Sequence, residues 1–276
     1  MTAIVPETAR RGPATRVRRG ARWLPLLLLA LVLLAVLSVV VGSRAIDPAV
    51  VWQAIVAPDL ADDRHVTVQA LRLPRTALVV VVGAALGVAG AVMQAMTRNP
   101  LAEPGLLGVN AGAAAAVVTG VLVTHVVDVE VYLWFAFAGA ALAAAAVYAL
   151  GGALQHASNP VRLVLAGAAL SVLLGAYTSS VLVTFPSVFD TFRFWDTGSF
   201  QGRGADALLP VGIAVGVGLL IAFSLARPLN ALALGAEFGR ALGASPRRTW
   251  LLAGVAVVLL AGGATAAAGP IGFIGP

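Results

Sequence analysis

The side chains able to do chemistry in this chain are few, and they are poorly placed for it. Gln94, Asn110, Ser171, Tyr177, Thr178, Ser179 and Ser180 lie inside long apolar stretches, with His156 at the edge of one. Each is read as an interhelical hydrogen bond before a catalytic group, because a buried hydroxyl or amide in an apolar setting needs a partner. There is no cysteine, which removes disulfides, thiolate metal sites and thiol nucleophiles. His65 and His125 stand too far apart in sequence to suggest a metal pair. All eighteen basic residues are arginine, so the lysine of a phosphate-cradling G-x-x-x-x-G-K-[ST] loop cannot be written. No catalytic residue, metal site or cofactor is expected. Anything driven uphill must take its energy from another chain.

The elements holding these residues are seven charge-free stretches of about twenty residues: Trp23–Ser43, Thr76–Thr97, Gly105–Thr124, Val131–Gln155, Leu163–Ser187, Ala207–Ala226 and Thr249–Pro276. The last is interrupted by glycine and proline near Gly269. At about 1.5 Å per residue each reaches across a hydrocarbon core about 30 Å thick. They are too continuously apolar for the alternating strands of a barrel. The expected fold is therefore all-α: a polytopic transmembrane helical bundle. The composition, 60% hydrophobic and 11% charged, lies far from the soluble norm of about 25% charged. Thirty glycines suit close helix packing in lipid. Gly108, Gly112, Ala116 and Gly120 share one helix face, and Gly83/Gly87 and Gly212/Gly216 repeat the spacing.

Charge sets the orientation. With the N-terminus in the cytoplasm and each stretch crossing once, the inner segments hold twelve arginines against Glu7, Glu103 and Glu237, a net +9. The outer segments hold Arg44, Arg64, Arg72, Arg75, Arg193 and Arg203 against nine carboxylates, a net −3. That asymmetry follows the positive-inside rule and explains the chain's +6 without invoking nucleic acid. Residues 1–22 read as a disordered basic cytoplasmic tail, and 23–276 as the membrane domain. Arg10–Arg22 followed by Leu24–Val41 also resembles a secretory signal, but its apolar part exceeds the usual 7–15 residues. Asp47–Val56 reads as a short interfacial helix anchored by Trp52.

The loop from Arg227 to Arg248 is unusual. Its centre, Leu229–Gly243, is rich in leucine and alanine yet too punctuated to cross a membrane. It reads as short helices broken at Gly235 and stopped at Gly243 by a left-handed cap. Leu232, Leu234, Phe238 and Leu242 must be covered either by the chain's own bundle or by a cytosolic partner.

Specific motifs extend this reading. Leu71-Arg-Leu-Pro-Arg-Thr76, Gly83-Ala-Ala-Leu-Gly87, Ala91-Val-Met-Gln94 and the long run from Arg98 through Asn99, Pro100 and Leu101 to Gly112 closely resemble the FecCD-type permeases, the type II ABC importers of iron-siderophores, haem and cobalamin. Arg162–Gly167, Phe194–Ser199, Leu232–Gly243 and Ala268–Gly275 follow in the expected order, so the resemblance covers the chain from about Arg22 onward. It implies a ten-helix permease, of which this chain carries about seven spans and a partial eighth, stopping inside a motif that the family continues. It also implies the partners: cytosolic ATP-binding subunits, an extracytoplasmic substrate-binding protein and a second permease subunit, in the inner membrane of a bacterium. Phe238-Gly239 and Asp196 depart mildly from the family pattern.

Carried over, the resemblance places a cytoplasmic gate at Asn99 and Leu101, opposed by Pro160 and Val161. Arg72 and Arg75 would meet acidic residues of the binding protein, with interfacial snorkelling as the bland alternative. Asn99 could equally cap a helix. Leu232, Leu234, Gly235, Glu237, Phe238, Arg240, Leu242 and Gly243 would couple to the ATPase, and Ser171, Thr178, Ser179 and Ser180 would line the path. The expected function is an ATP-driven importer permease, ferric siderophore being the leading cargo. A secondary transporter would need an ionisable group at mid-membrane and an intramembrane enzyme a catalytic pair; a structural membrane subunit is the remaining alternative.

Overall fold

The computed structural model describes residues 22–42, 45–125, 129–152, 160–200 and 204–272. The proposed tail at 1–22 lies almost wholly outside them, as does His156. The described residues are helical throughout, without a strand among them. Two compact units divide the chain, residues 1–76 and 77–276.

In the first unit, helix α1 (Leu24–Val40) precedes a short helix α2 (Pro48–Val56). Asp47 opens α2 by accepting from the Ala49 amide at 2.8 Å, with Pro48 suited to the first turn. This is the helix expected around Trp52, whose ring is exposed. The next helix starts earlier than expected. α3 (Asp63–Val66) runs through a π turn (Thr67–Arg72) into α4 (Leu73–Thr97), giving 35 continuous helical residues instead of a start at Thr76. The expected bound followed the charge of Arg75, whereas Pro74, lacking an amide and crowding the preceding turn, sits inside the helix. The π turn absorbs that conflict: the Leu73 amide reaches back to the Val68 carbonyl, one residue farther than in an α-helix. Asp62 caps α3, and the Arg64 guanidinium beside it holds its carboxyl down to about 2. Val39, Ile46, Val51, Ala54 and Val68 form this unit's small core.

Two arginines close the C-terminal end of α1. The Arg72 guanidinium donates to the Val39 and Val40 carbonyls at 2.9 and 2.7 Å, and Arg75 donates to Ser38 at 3.4 Å. Those carbonyls have no partner within the helix, and a cation there also meets the negative end of its dipole. Gly42 makes room, because a Cβ would lie 2.7 Å from Arg72 Nη2.

The second unit contains α5 (Val109–Thr124), α6 (Val129–Leu150), α7 (Pro160–Thr184), the amphipathic α8 (Pro186–Asp196), α9 (Ala205–Ser224), α10 (Ala226–Ala233), α11 (Ala236–Ala241) and α12 (Pro246–Val257). A π turn joins α12 to α13 (Gly263–Ala268), and Gly269 ends the run at φ +86°. Among the described residues, five helices are long and apolar enough to cross a membrane; α1 with 17 residues and α5 with 16 are shorter. α5 falls short of its expected start at Gly105 because Pro104–Leu107 is a 3₁₀ turn, ended by Gly108 at φ +71°.

Glycine governs the packing of α5 against α6. A Cβ on Gly112 would meet the Gly139 carbonyl oxygen at 2.4 Å, one on Gly139 would meet the Gly112 oxygen at 2.3 Å, and one on Gly120 would enter the Phe135 ring. The face expected from Gly112, Ala116 and Gly120 is therefore a true contact face. Gly83/Gly87 and Gly212/Gly216 are not: a Cβ at any of the four meets nothing within 4 Å. Asn110 makes the expected interhelical bridge, accepting from Thr265 Oγ1 at 2.8 Å and donating to the Ile271 carbonyl at 3.2 Å. Tyr177 meets the Thr119 hydroxyl at 2.8 Å. Gln94 differs, donating instead to Pro100 in the loop after its own helix at 2.8 Å.

Two predictions follow from these contacts. Gly112→Ala should lower stability by about 1–3 kcal/mol through overpacking, whereas Gly83→Ala should not, as read from thermal unfolding in detergent. Arg72→Ala should cost about 1.5–3 kcal/mol by orphaning two carbonyls, and Arg75→Ala clearly less, read from protease protection of α1.

Candidate functional site

Polar and apolar features of unusual geometry converge on one end of the second unit, where α4 stops and α10 and α11 project. α4 ends at Thr97, and the next residue, Arg98, takes a left-handed φ of +53°. For a side chain other than glycine or asparagine this conformation costs about 1–3 kcal/mol and persists only where the surroundings hold it. They do hold it. Asn99 Oδ1 accepts from the Leu101 amide at 2.9 Å, and the Ala102 amide donates to the Asn99 carbonyl at 3.1 Å. Gln94 fastens Pro100 from the preceding turn. The loop is thus a closed local structure that projects Leu101, 79% exposed, at its tip. Asn99 caps no helix here; its side chain serves the turn itself and so fixes where Leu101 points.

The 3₁₀ turn Pro104–Leu107 continues this loop, and α7 lies directly against it. A Cβ on Gly167 would sit 1.8 Å from the Leu106 carbonyl oxygen, so only glycine permits this approach. Val161, in the first turn of α7, is exposed. Pro160 begins the helix, and its side chain lies outside the described residues.

The hairpin of α10 and α11 follows the expected punctuation. Gly235 separates the two helices at φ +122°, and Gly243 ends the second at φ +84°. The Ala244 amide returns to the Gly239 carbonyl and the Gly243 amide to Arg240, both at 2.9 Å, which is a Schellman cap. Leu234, Phe238 and Leu242 stand 67–69% exposed, and Glu237 and Arg240 are exposed with them. The bundle's own surface does not cover this row. Leu232 is a correction to the expected exposed set: it is buried and presses on Gly239, where a Cβ would lie 2.6 Å from Leu232 Cδ2. The loop and the hairpin are tied together, since the Arg98 guanidinium donates to the Leu232 carbonyl. Sequence reasoning assigned Arg98 no role. Its signal was present, as the sole charge between Arg75 and Glu103, directly before an Asn-Pro.

Other expected residues divide. Arg72 is only 5% exposed and spent on α1 carbonyls, so it is not the free surface cation expected for docking; Arg75 is half-buried on the same helix end. Thr178 is turned into the bundle, with its hydroxyl unpaired among the described residues, and does not line an open path. Ser180 donates to Ala176 of its own helix at 2.8 Å, Ser179 is exposed and Ser171 half-buried near Gly108. α7 is the least buried of the five long helices, at 11%, while α12 to α13 is the most, at 72%.

Comparison with known proteins places this architecture. Residues 28–275 match the FecCD transport family. The ferric enterobactin transport system permease protein FepD of Escherichia coli is 42% identical over 251 residues, covering 91% of this chain and 75% of that protein. The vitamin B12 import system permease protein BtuC of Citrobacter koseri is 37% identical over 268 residues, covering 94% and 75%. A solved inward-facing structure of a metal-chelate type ABC transporter superposes with a TM-score of 0.76 at 25% identity, over 92% of this chain and 78% of that one. An all-helical bundle with a charge-free interior, matched over nearly its whole length in this way, belongs to the FecCD transport family.

Proposed function

We propose that the chain is the membrane permease subunit of an ATP-driven importer of ferric siderophores in the bacterial inner membrane. It is a transport component and not itself an enzyme. The observation that carries this reading is the uncovered row Leu234, Phe238 and Leu242 on a small helical hairpin tied to the loop of Asn99 and Leu101. An exposed apolar row on a compact element is what a partner surface buries. The membrane stretches carry no ionisable side chain, so the energy must enter there from a nucleotide-binding partner.

Seven crossings with the N-terminus in the cytoplasm account for the arginine asymmetry, and they put the hairpin on the cytoplasmic side. The shorter α1 and α5 would cross with their flanking residues. Leu101 and Val161, both exposed at that end, serve as the inner gate with Asn99 and Pro160. The poorly covered α7 supports a second permease subunit across the pathway, with Ser171, Ser179 and Ser180 offering weak contacts that release cargo easily. Of the two arginines expected for docking, the half-buried Arg75 is the more accessible to an acidic binding protein, where a charge pair favours registry. The 42% identity to the ferric enterobactin permease over 91% of this chain supports an iron chelate as cargo.

Transport then proceeds by alternating access. Nucleotide-driven closure of the ATPases moves the hairpin and re-packs the loop of Leu101; the nucleotide-bound partner must grip one arrangement more tightly than the other. Leu234→Asp and Leu242→Asp should each weaken copurification of the ATP-binding subunits and lower ATP-dependent uptake of ferric enterobactin about tenfold, in protein that still inserts normally. Uptake at the parental rate would remove the docking role.

A further inference from the structure

We infer that Arg98 is the positioning residue that transmits hairpin movement to the inner gate. This rests on the reading above of the hairpin as an ATPase-facing element. Three features of one side chain support it. Its guanidinium donates to the Leu232 carbonyl at the C-terminal end of α10, which also accepts from the Gly235 amide at 3.1 Å and lies at the negative end of the helix dipole. Its backbone is one of two left-handed non-glycine positions among the described residues. It is adjacent to Asn99, whose side chain sets the turn that presents Leu101.

Leu232 makes this a lever and not only a tether. Its side chain is clamped under Gly239 of α11, the helix that carries Phe238, while its carbonyl holds Arg98. A push on the exposed row of α11 is therefore delivered to Leu232 by van der Waals contact. From Leu232 it passes through a charge-assisted hydrogen bond to a backbone joint already in a sparsely populated conformation. That joint is held by the Asn99 turn bonds and by Gln94 as well as by this guanidinium, so losing or redirecting the Leu232 bond removes the one support that comes from the hairpin. Gln94 anchors the other side of the loop at Pro100, which confines the rotation to residues 98 and 99. A guanidinium suits this role because it keeps its charge and offers several donors from a long stem, so contact persists over a short travel.

The absence of cysteine permits a direct test in the assembled importer with its ATP-binding subunits. Leu101→Cys provides a single reporter, and its rate of maleimide labelling is measured without nucleotide and with a trapped ATP analogue. With Arg98 present the two rates should differ about fivefold or more. Arg98→Asn removes the guanidinium but tolerates the left-handed backbone; ATP hydrolysis and copurification of the partner should persist while the labelling response to nucleotide disappears. Arg98→Gly should behave alike, and Arg98→Lys should restore part of the response. A full nucleotide response in Arg98→Asn would overturn the inference and leave the importer reading standing. Failure of both the Asn and Gly variants to assemble would make Arg98 a folding element and overturn it too. A parental complex whose reporter ignores nucleotide would overturn both.

Discussion

A helix crossing hydrocarbon satisfies its interior backbone groups by itself but leaves its last carbonyls unpaired, and a bilayer supplies no water to meet them. Much of this structure follows from how those ends are closed. Charges are absent from the long apolar stretches, so the arginines gather at their borders, and several are spent on helix ends. Arg72 and Arg75 close α1 in the first unit, and Arg98 closes α10 in the second. Each is a cation at the negative end of a helix dipole, and each lies next to an irregularity of its own backbone: a π turn for Arg72, a left-handed residue for Arg98. The irregularity lets a residue at a helix border turn its side chain onto a neighbouring helix end.

Between those ends the bundle holds together by proximity. Lipid is as apolar as leucine, so helices gain little by burying leucine and more by bringing backbones close. The mutual approach of Gly112 and Gly139, and of Gly167 to the Leu106 carbonyl, shows where this happens. The second approach has a functional consequence. It lays the first turns of α7, which carry Val161, along the segment that continues the loop of Leu101. The start of α7 and the segment after Leu101 are thus registered by a glycine.

Apolar length, turn chemistry and charge asymmetry were legible in the sequence. Each stretch contains a helix, though several bounds differ, and the hairpin breaks at Gly235 and ends at Gly243 because those positions need backbone that other residues resist. Side-chain direction was not legible. A helix apolar all round has no hydrophilic face to mark its outside, so Thr178 could not be told from Ser179, nor the open Gly83 from the packed Gly112. Arg72 was misjudged for a related reason. A charge at a span border is expected to reach water, and only three-dimensional placement reveals an unfilled carbonyl pair nearby. The start of α4 was not legible because the charge-free stretch begins only after Arg75, and the π turn that carries the helix through Arg72 has no simple sequence signature.

Removing charge from the membrane stretches has a further effect on how work can be done. The seven apolar stretches carry no Asp, Glu, Lys or Arg, and hydroxyls such as those of Ser179 and Ser180 offer only weak hydrogen-bond contacts. In the proposed importer, the preference for one arrangement is imposed at the surface, by a partner that binds the two states unequally. On that reading, the element that receives the preference needs an apolar row to be gripped and a stiff connection to the loop of Leu101. The α10–α11 hairpin has both. Its grip is Leu234, Phe238 and Leu242, and its stiffness is the Schellman cap at Gly243 with Leu232 wedged beneath Gly239. A flexible loop with the same leucines would absorb the push; a two-helix clasp with its ends capped passes it on.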